Sequence, residues 1–164
     1  MTAARGLVTV GVRPATALDA DLLLAWANDP TTRMASFRHK GIPATAHRRW
    51  LADRLASPST RLLIGYAGPT PVGHIRLERD PDGRVEIGIS VAREARGRGV
   101  GRSLHAAGLE AARLDAGFEV GTFVARVRVD NEASIGLFRG SGFALRERSI
   151  CQGVPCLVFE LPGA

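Results

Sequence analysis

The sequence predicts a mixed α/β (α+β) fold, with a mostly antiparallel central sheet of about seven strands flanked by about four helices. Three observations carry that expectation. Val85, Ile87, Ile89 and Val91 alternate with Glu86, Gly88 and Ser90, the period of a strand. A glycine-rich turn hands this strand to a run in which Val100, Leu104, Ala107, Ala111 and Leu114 fall at helical spacing. Two further strand-like runs precede it, and Gly68-Pro69-Thr70-Pro71 and Asp80-Pro81-Asp82-Gly83 turn the chain between them, which makes a meander.

Taken in order, Leu7 to Arg13 reads as a first strand ended by Pro14. Leu18 to Ala27 reads as a helix with Leu22, Leu23 and Trp26 inward, stopped at Asn28-Asp29-Pro30 because the residue before proline avoids helical angles. Thr31 to Pro43 reads as a short helix and a loop, and Thr45 as the N-cap of a helix to Ser57 that turns Trp50, Leu51 and Leu55 inward. The strands Arg61–Ala67, Val72–Glu78 and Arg84–Val91 follow. Gly117 is the expected C-cap of the long helix. Thr122 to Val129 is a strand, and Asn131 caps a short helix through Phe138 that Gly140 to Gly142 breaks. Phe143–Ile150 and Pro155–Leu161 close the chain as a hairpin.

The 164 residues, 45% hydrophobic and 23% charged, suit one soluble domain spanning 1–164 with its core at about 7–161. No long apolar run or signal-like start appears, so a cytoplasmic protein that neither spans a membrane nor is secreted is expected. The net charge of +6 is almost all dispersed arginine, with Lys40 the only lysine and no basic tail, which argues against a nucleic-acid partner. Two cysteines, Cys151 and Cys156, are too few for a disulfide framework. They can face each other across the last hairpin but would be reduced in the cytosol.

The turn Arg96-Gly97-Arg98-Gly99-Val100-Gly101-Arg102 lies between a strand and a helix N-terminus. There, unpartnered N–H groups and the positive end of the helix dipole favour an anion. A dinucleotide fingerprint fails because its third glycine position is Arg102, and a P-loop fails for want of a Gly-Lys-Ser/Thr. The turn resembles instead the acyl-CoA signature of the GCN5-related N-acetyltransferases, Arg/Gln-x-x-Gly-x-Gly/Ala, with Arg96, Gly99 and Gly101 in the matching positions. Asn131-Glu132-Ala133-Ser134-Ile135-Gly136-Leu137-Phe138, leading to Gly142-Phe143, resembles that family's second block, and the element order is the one expected of its fold.

The resemblance implies acetyl-CoA as co-substrate and no metal. It places the pyrophosphate at Arg96 to Arg102, and pantetheine on the strand at Ile89, Ser90 and Val91, with an oxyanion donor near Ile89 and Val91. Asn131, Ser134 and Phe138 complete the cofactor site, although Asn131 is equally explained as an N-cap. The family commonly has a proton-donating tyrosine where this chain has Phe138, which leaves Ser134 as the polar candidate on that helix face. Glu86 matches the family's general base, or else is a rim glutamate paired with an arginine.

For the acceptor, Trp26-x-Asn28-Asp29-Pro30-x-x-Arg33 followed by His47-x-x-Trp50 is similar to a subgroup acetylating nucleotide-linked amino sugars, and less closely to ribosomal-protein N-terminal acetyltransferases. Arg33, Met34, Phe37, His47 and His74 are therefore acceptor-site candidates. Helix packing explains the tryptophans as well, and a solvated strand position explains His74. The expectation is an N-acetyltransferase for a small-molecule primary amine, possible amino sugars included, by direct ternary-complex transfer. A protein α-amine as acceptor and a non-catalytic acyl-CoA-binding module remain the alternatives. A homodimer is compatible with the pattern.

Overall fold

The computed structural model describes residues 6–164 and contains a seven-stranded sheet in the order β1-β2-β3-β4-β5-β7-β6. Its strands are β1 (Gly11–Pro14), β2 (Thr60–Ala67), β3 (Thr70–Arg79), β4 (Arg84–Val91), β5 (Thr122–Arg128), β6 (Ala144–Cys151) and β7 (Val154–Pro162). The helices are α1 (Ala20–Ala27), α2 (Pro30–Ala35), α3 (Ala44–Ala56), α4 (Val100–Leu114) and α5 (Glu132–Gly140). All pairings are antiparallel except β4 with β5. That parallel pair needs a crossover, and α4 supplies it.

The two sheet faces follow from register. Ile75 and Leu77 pair with Ile89 and Ile87, and this face receives α4. Leu104 of α4 lies against Gly65 and Gly73, and Gly108 against Ile75. The opposite face carries His74, Arg76 and Glu78 across from Ser90, Gly88 and Glu86. Helices α1 and α3 cover it: Trp26 stacks on His74 with centroids 6.0 Å apart, and the Arg76 guanidinium lies 5.8 Å from the Trp50 ring centre. Helix α5 lies on the α4 side, where Phe138 meets His105 edge to face at 5.3 Å.

Several sequence expectations shift. The first strand is Gly11–Pro14: in its register Leu7 to Thr9 lie beyond Ala67, where β2 ends, and Val10, opposite Ala67, is unpaired and packs against Gly65. Helix α1 is preceded by a 3-10 turn, Ala17–Asp19, with Thr16 as N-cap; Asp19 takes the Thr16 N–H and a bidentate Arg13. These bonds, Arg13 foremost, hold the Asp19 carboxyl below its usual range against the cost of burial. Thr45 does not cap α3, since Pro43 already occupies that position and Thr45 lies inside the first turn. Helix α4 ends at Asp115, not Gly117: the Asp115 carboxylate accepts the Gly117 N–H and Arg61 Nε. The apolar stripe of α4 is Val100, Leu104, Gly108 and Ala112, flanked by His105 and Leu109, while Leu114 is exposed. Cys151 and Cys156 are joined by a disulfide rather than reduced. The two-residue turn Gln152-Gly153, both at positive φ, sets their Cα atoms 5.8 Å apart, within bridging range.

Gly108 lets α4 approach the sheet closely: a Cβ there would stand 2.6 Å from Ile75 Cδ1. Gly136 of α5 has open space around its Cβ position. Gly108→Ala is therefore expected to destabilise the fold by about 1–3 kcal/mol through overpacking. Gly136→Ala is expected to stabilise it by about 0.4–1 kcal/mol by reducing unfolded-state entropy. Urea denaturation checks both, and equal effects at the two sites would contradict this packing.

Candidate active site

The site is made where one ladder stops. β4 and β5 pair only over Arg84–Glu86 with Thr122–Val124, and beyond that point the strands diverge. On β4 the even-numbered residues bond toward β3, since Ala92 N donates to Val72 O at one end and Asp80 N to Arg84 O at the other. Alternation along an antiparallel ladder then turns the N–H and C=O groups of Ile89 and Val91 toward the gap. Val91 O accepts Arg96 Nε at 3.1 Å.

The gap opens into a cavity of about 1070 Å³ lined from both sides of the sheet. Ser134, Phe138 and Asn131 come from the α5 side, and His47, Trp50 and His74 from the α1–α3 side, with Glu86, Ile89 and Ser90 of β4 between them. Arg33 and Phe37 join the lining, but Met34 is 63% exposed and outside it. Of the acceptor candidates, then, four converge and Met34 does not.

The anion turn sits at the end of β4. Gly97 and Gly99 have φ of +76° and +75°, conformations that L side chains rarely adopt, and α4 begins without a side-chain cap. A Cβ at Gly101 would touch Val91 at 3.4 Å. The turn thus presents an uncapped N-terminus of a 15-residue helix, with Arg98 and Arg102 beside it. Arg96 behaves differently from the expectation. Its guanidinium reaches Asp29 Oδ2 at 3.0 Å and Thr32 Oγ1 at 3.1 Å, binding the turn to the start of α2. Asp29 also caps α2 by accepting Thr32 N–H; that bond, then Arg96, keeps its carboxyl below the usual range.

Glu86 is paired with Arg126 Nη1 at 2.5 Å, and its side chain is nearly half exposed. The pairing matches the rim reading, and Glu86 also lines the cavity. Asn131 caps α5 by accepting Ser134 N–H at 3.2 Å. Phe138 is buried among His105, Phe143 and Phe159. His74 is not solvated: it stacks on Trp26, its Nδ1 is shielded without a partner, and its pKa falls to about 4 through burial first, then the Arg76 charge and His47. Burial likewise depresses His47. The sequence reading missed Arg126 as the partner of Glu86 and Asp29 as the partner of Arg96. Nothing local marks either pair, because the residues are 40 and 67 positions apart.

The site is thus a through-sheet gap with unpaired strand-edge groups, and an anion turn follows at the end of β4. The family described as acetyltransferase (GNAT) domain matches residues 9–144. The chain therefore belongs to the GCN5-related N-acetyltransferase family. The uncharacterized protein ML0378 of Mycobacterium leprae (strain TN) is 37% identical over 106 residues, which is 62% of this chain. The match spans only 26% of that longer protein. A crystal structure of ribosomal-protein-alanine N-acetyltransferase from Brucella melitensis superposes with a TM-score of 0.78 at 26% identity, covering 92% of this chain and 98% of that one. Spermidine N-acetyltransferase from Vibrio cholerae, in complex with CoA and spermine, shares the fold with a TM-score of 0.84 at 14% identity, covering 94% and 96%.

The residues fit acetyl-CoA: a cradle kept free of side chains for its phosphates, and an open strand edge for its amide-bearing arm. Arg96 tests this division of labour. Because its guanidinium is committed to Asp29, Thr32 and Val91, Arg96→Gln is expected to leave acetyl-CoA affinity within about threefold, under ~1 kcal/mol. Stability is expected to fall by about 1.5–3 kcal/mol, as for hydrogen bonds to charged groups. Calorimetry and denaturant melts check this, and a loss of affinity beyond about tenfold with stability unchanged would put Arg96 on the ligand.

Proposed function

We infer that the chain transfers the acetyl group of acetyl-CoA to a primary amine of a small molecule, within a ternary complex and without a covalent enzyme intermediate. The observation that carries this reading is the cavity lined from both sheet faces. Two substrates can meet in it, one along the β4 edge and the other over His47, Trp50 and His74. Neither cysteine is placed as a nucleophile, since both are joined in the disulfide.

In this reading the Ile89 and Val91 edge holds the pantetheine arm and offers an N–H to the negative charge that develops on the acetyl oxygen. Glu86 takes a proton from the amine, directly or through water, and Arg126 holds its carboxylate in place. Phe138 has no proton to give. A thiol of this kind has a pKa near ~8.5, so CoA leaves as a thiolate toward solvent or a water held by Ser134. An amino sugar linked to a nucleotide is one acceptor of the right kind. A protein α-amine is the second reading, favoured by the similarity to the Brucella melitensis enzyme that is named for ribosomal-protein alanine.

Release of CoA thiol with a panel of amines and N-terminal peptides tests the reading directly. Glu86→Gln is expected to lower kcat by about 10²-fold or more, as general-base losses do, with acetyl-CoA affinity unchanged. It also removes the acid limb of the pH–rate profile. A variant that keeps the parent's profile would leave Glu86 as the ion-pair partner of Arg126 alone.

A further inference from the structure

The cavity wall is strongly and unevenly charged. Seven arginines and three glutamates line it, with no aspartate or lysine. Most of the arginines are answered by acids. Arg126 pairs with Glu86, Arg84 with Glu160 at 2.6 Å, Arg76 with Glu78 at 3.2 Å, and Arg128 with Asp130 at 2.9 Å. Arg146 only shares Glu160, at 3.8 Å.

Arg33 and Arg38, on the wall formed by α2 and the segment after it, are different. Arg33 donates only to neutral oxygens: Arg38 O at 3.2 Å, Lys40 O at 3.4 Å and Ser36 Oγ at 3.1 Å. Its Nε is shielded without a partner, and burial lowers its pKa while leaving it charged. Arg38 donates to Gln152 Oε1 at 2.9 Å, again a neutral group, and both residues line the cavity. The part-buried Arg33 guanidinium has no counter-charge, which is costly, and an anion seated there would offset that cost; Arg38 is exposed and adds positive charge to the same wall.

We propose that the acceptor amine carries an anionic group, a carboxylate or a phosphate, held by Arg33 and Arg38 while its amine reaches the Glu86 side of the cavity. This rests on the reading of the site as an amine acetyltransferase and adds the acceptor's charge. The transferred bonds are unchanged by it. The amine nitrogen bonds the acetyl carbon, the C–S bond breaks, CoA leaves as thiolate, and one proton leaves the amine. The anionic group serves only to position. A polyamine, by the same electrostatics, meets a wall of its own sign.

The test compares matched amines by kcat/KM: phosphoethanolamine against ethanolamine, 4-aminobutanoate against 4-aminobutanamide, and spermidine as polycation. The anionic member of at least one pair is expected to be favoured by tenfold or more, about 1.4 kcal/mol. The pair with the larger ratio separates phosphate from carboxylate. Arg33→Gln is expected to reduce the preference to below about threefold with acetyl-CoA affinity unchanged, and Arg33→Lys to retain part of it. Preference for ethanolamine or spermidine in the parent overturns the proposal, as does an Arg33→Gln variant that loses acetyl-CoA affinity and keeps the preference. If no amine is turned over, the acetyl-transfer reading fails separately. Calorimetric binding of phosphoethanolamine and ethanolamine to the CoA-loaded protein then decides the charge: tighter phosphoethanolamine binding that Arg33→Gln abolishes upholds it, and equal binding overturns it.

Discussion

The rest of the site depends on the place where β4 parts from β5. A parallel ladder continued past Glu86 and Val124 would engage the inner edge of β4 and leave no passage through the sheet. Ending it there exposes a short length of strand edge that the protein has to manage, since open edges invite wrong pairing. Here Arg96 takes one carbonyl of that edge, Val91 O. Helices α3 and α5 contribute to the cavity walls on opposite faces, so that what remains is a lined cavity and not an open strand edge.

Arg96 links three parts whose functions must agree. Through Val91 it fixes the end of the strand, through its backbone it begins the anion turn, and through Asp29 and Thr32 it holds the start of α2. Helix α2 has only six residues, and none is buried. A helix that short has little stability of its own, so its place over the cavity rests on such contacts. The Arg33 side chain, which contributes the uncompensated charge to the wall, is carried on this same helix.

The element order and nearly every strand were legible because strand alternation, turn residues and caps are local signals. The β2–β3–β4 meander lies where its two turns put it, and Asn131 caps α5 as its position suggested. Local signals failed where a partner decided the outcome. Leu7 to Thr9 have strand composition, but β2 is too short to pair with them. Leu114 fits a helical stripe, yet the helix meets the sheet along Gly108 and Ala112, which turns Leu114 to solvent. The cleft was legible in part. The glycine turn was readable as a motif and the Ile89–Val91 edge followed only from the family resemblance, whereas the engagement of Glu86 by Arg126 and the burial of His74 against Trp26 arise from distant segments. Arg33 was visible as a candidate, but its lack of an acid partner is a property of the folded wall alone.

The account is tested most directly at the backbone of β4. Amide hydrogen exchange, followed residue by residue with and without acetyl-CoA, reports whether the Ile89 and Val91 N–H groups acquire a partner. The account predicts fast exchange at both in the free protein and protection of one or both by acetyl-CoA, while Gly88 and Ser90, already bonded to β3, change little. Protection confined to α4 and its turn, with Ile89 and Val91 exchanging as before, would contradict the placement of the acyl arm in the gap.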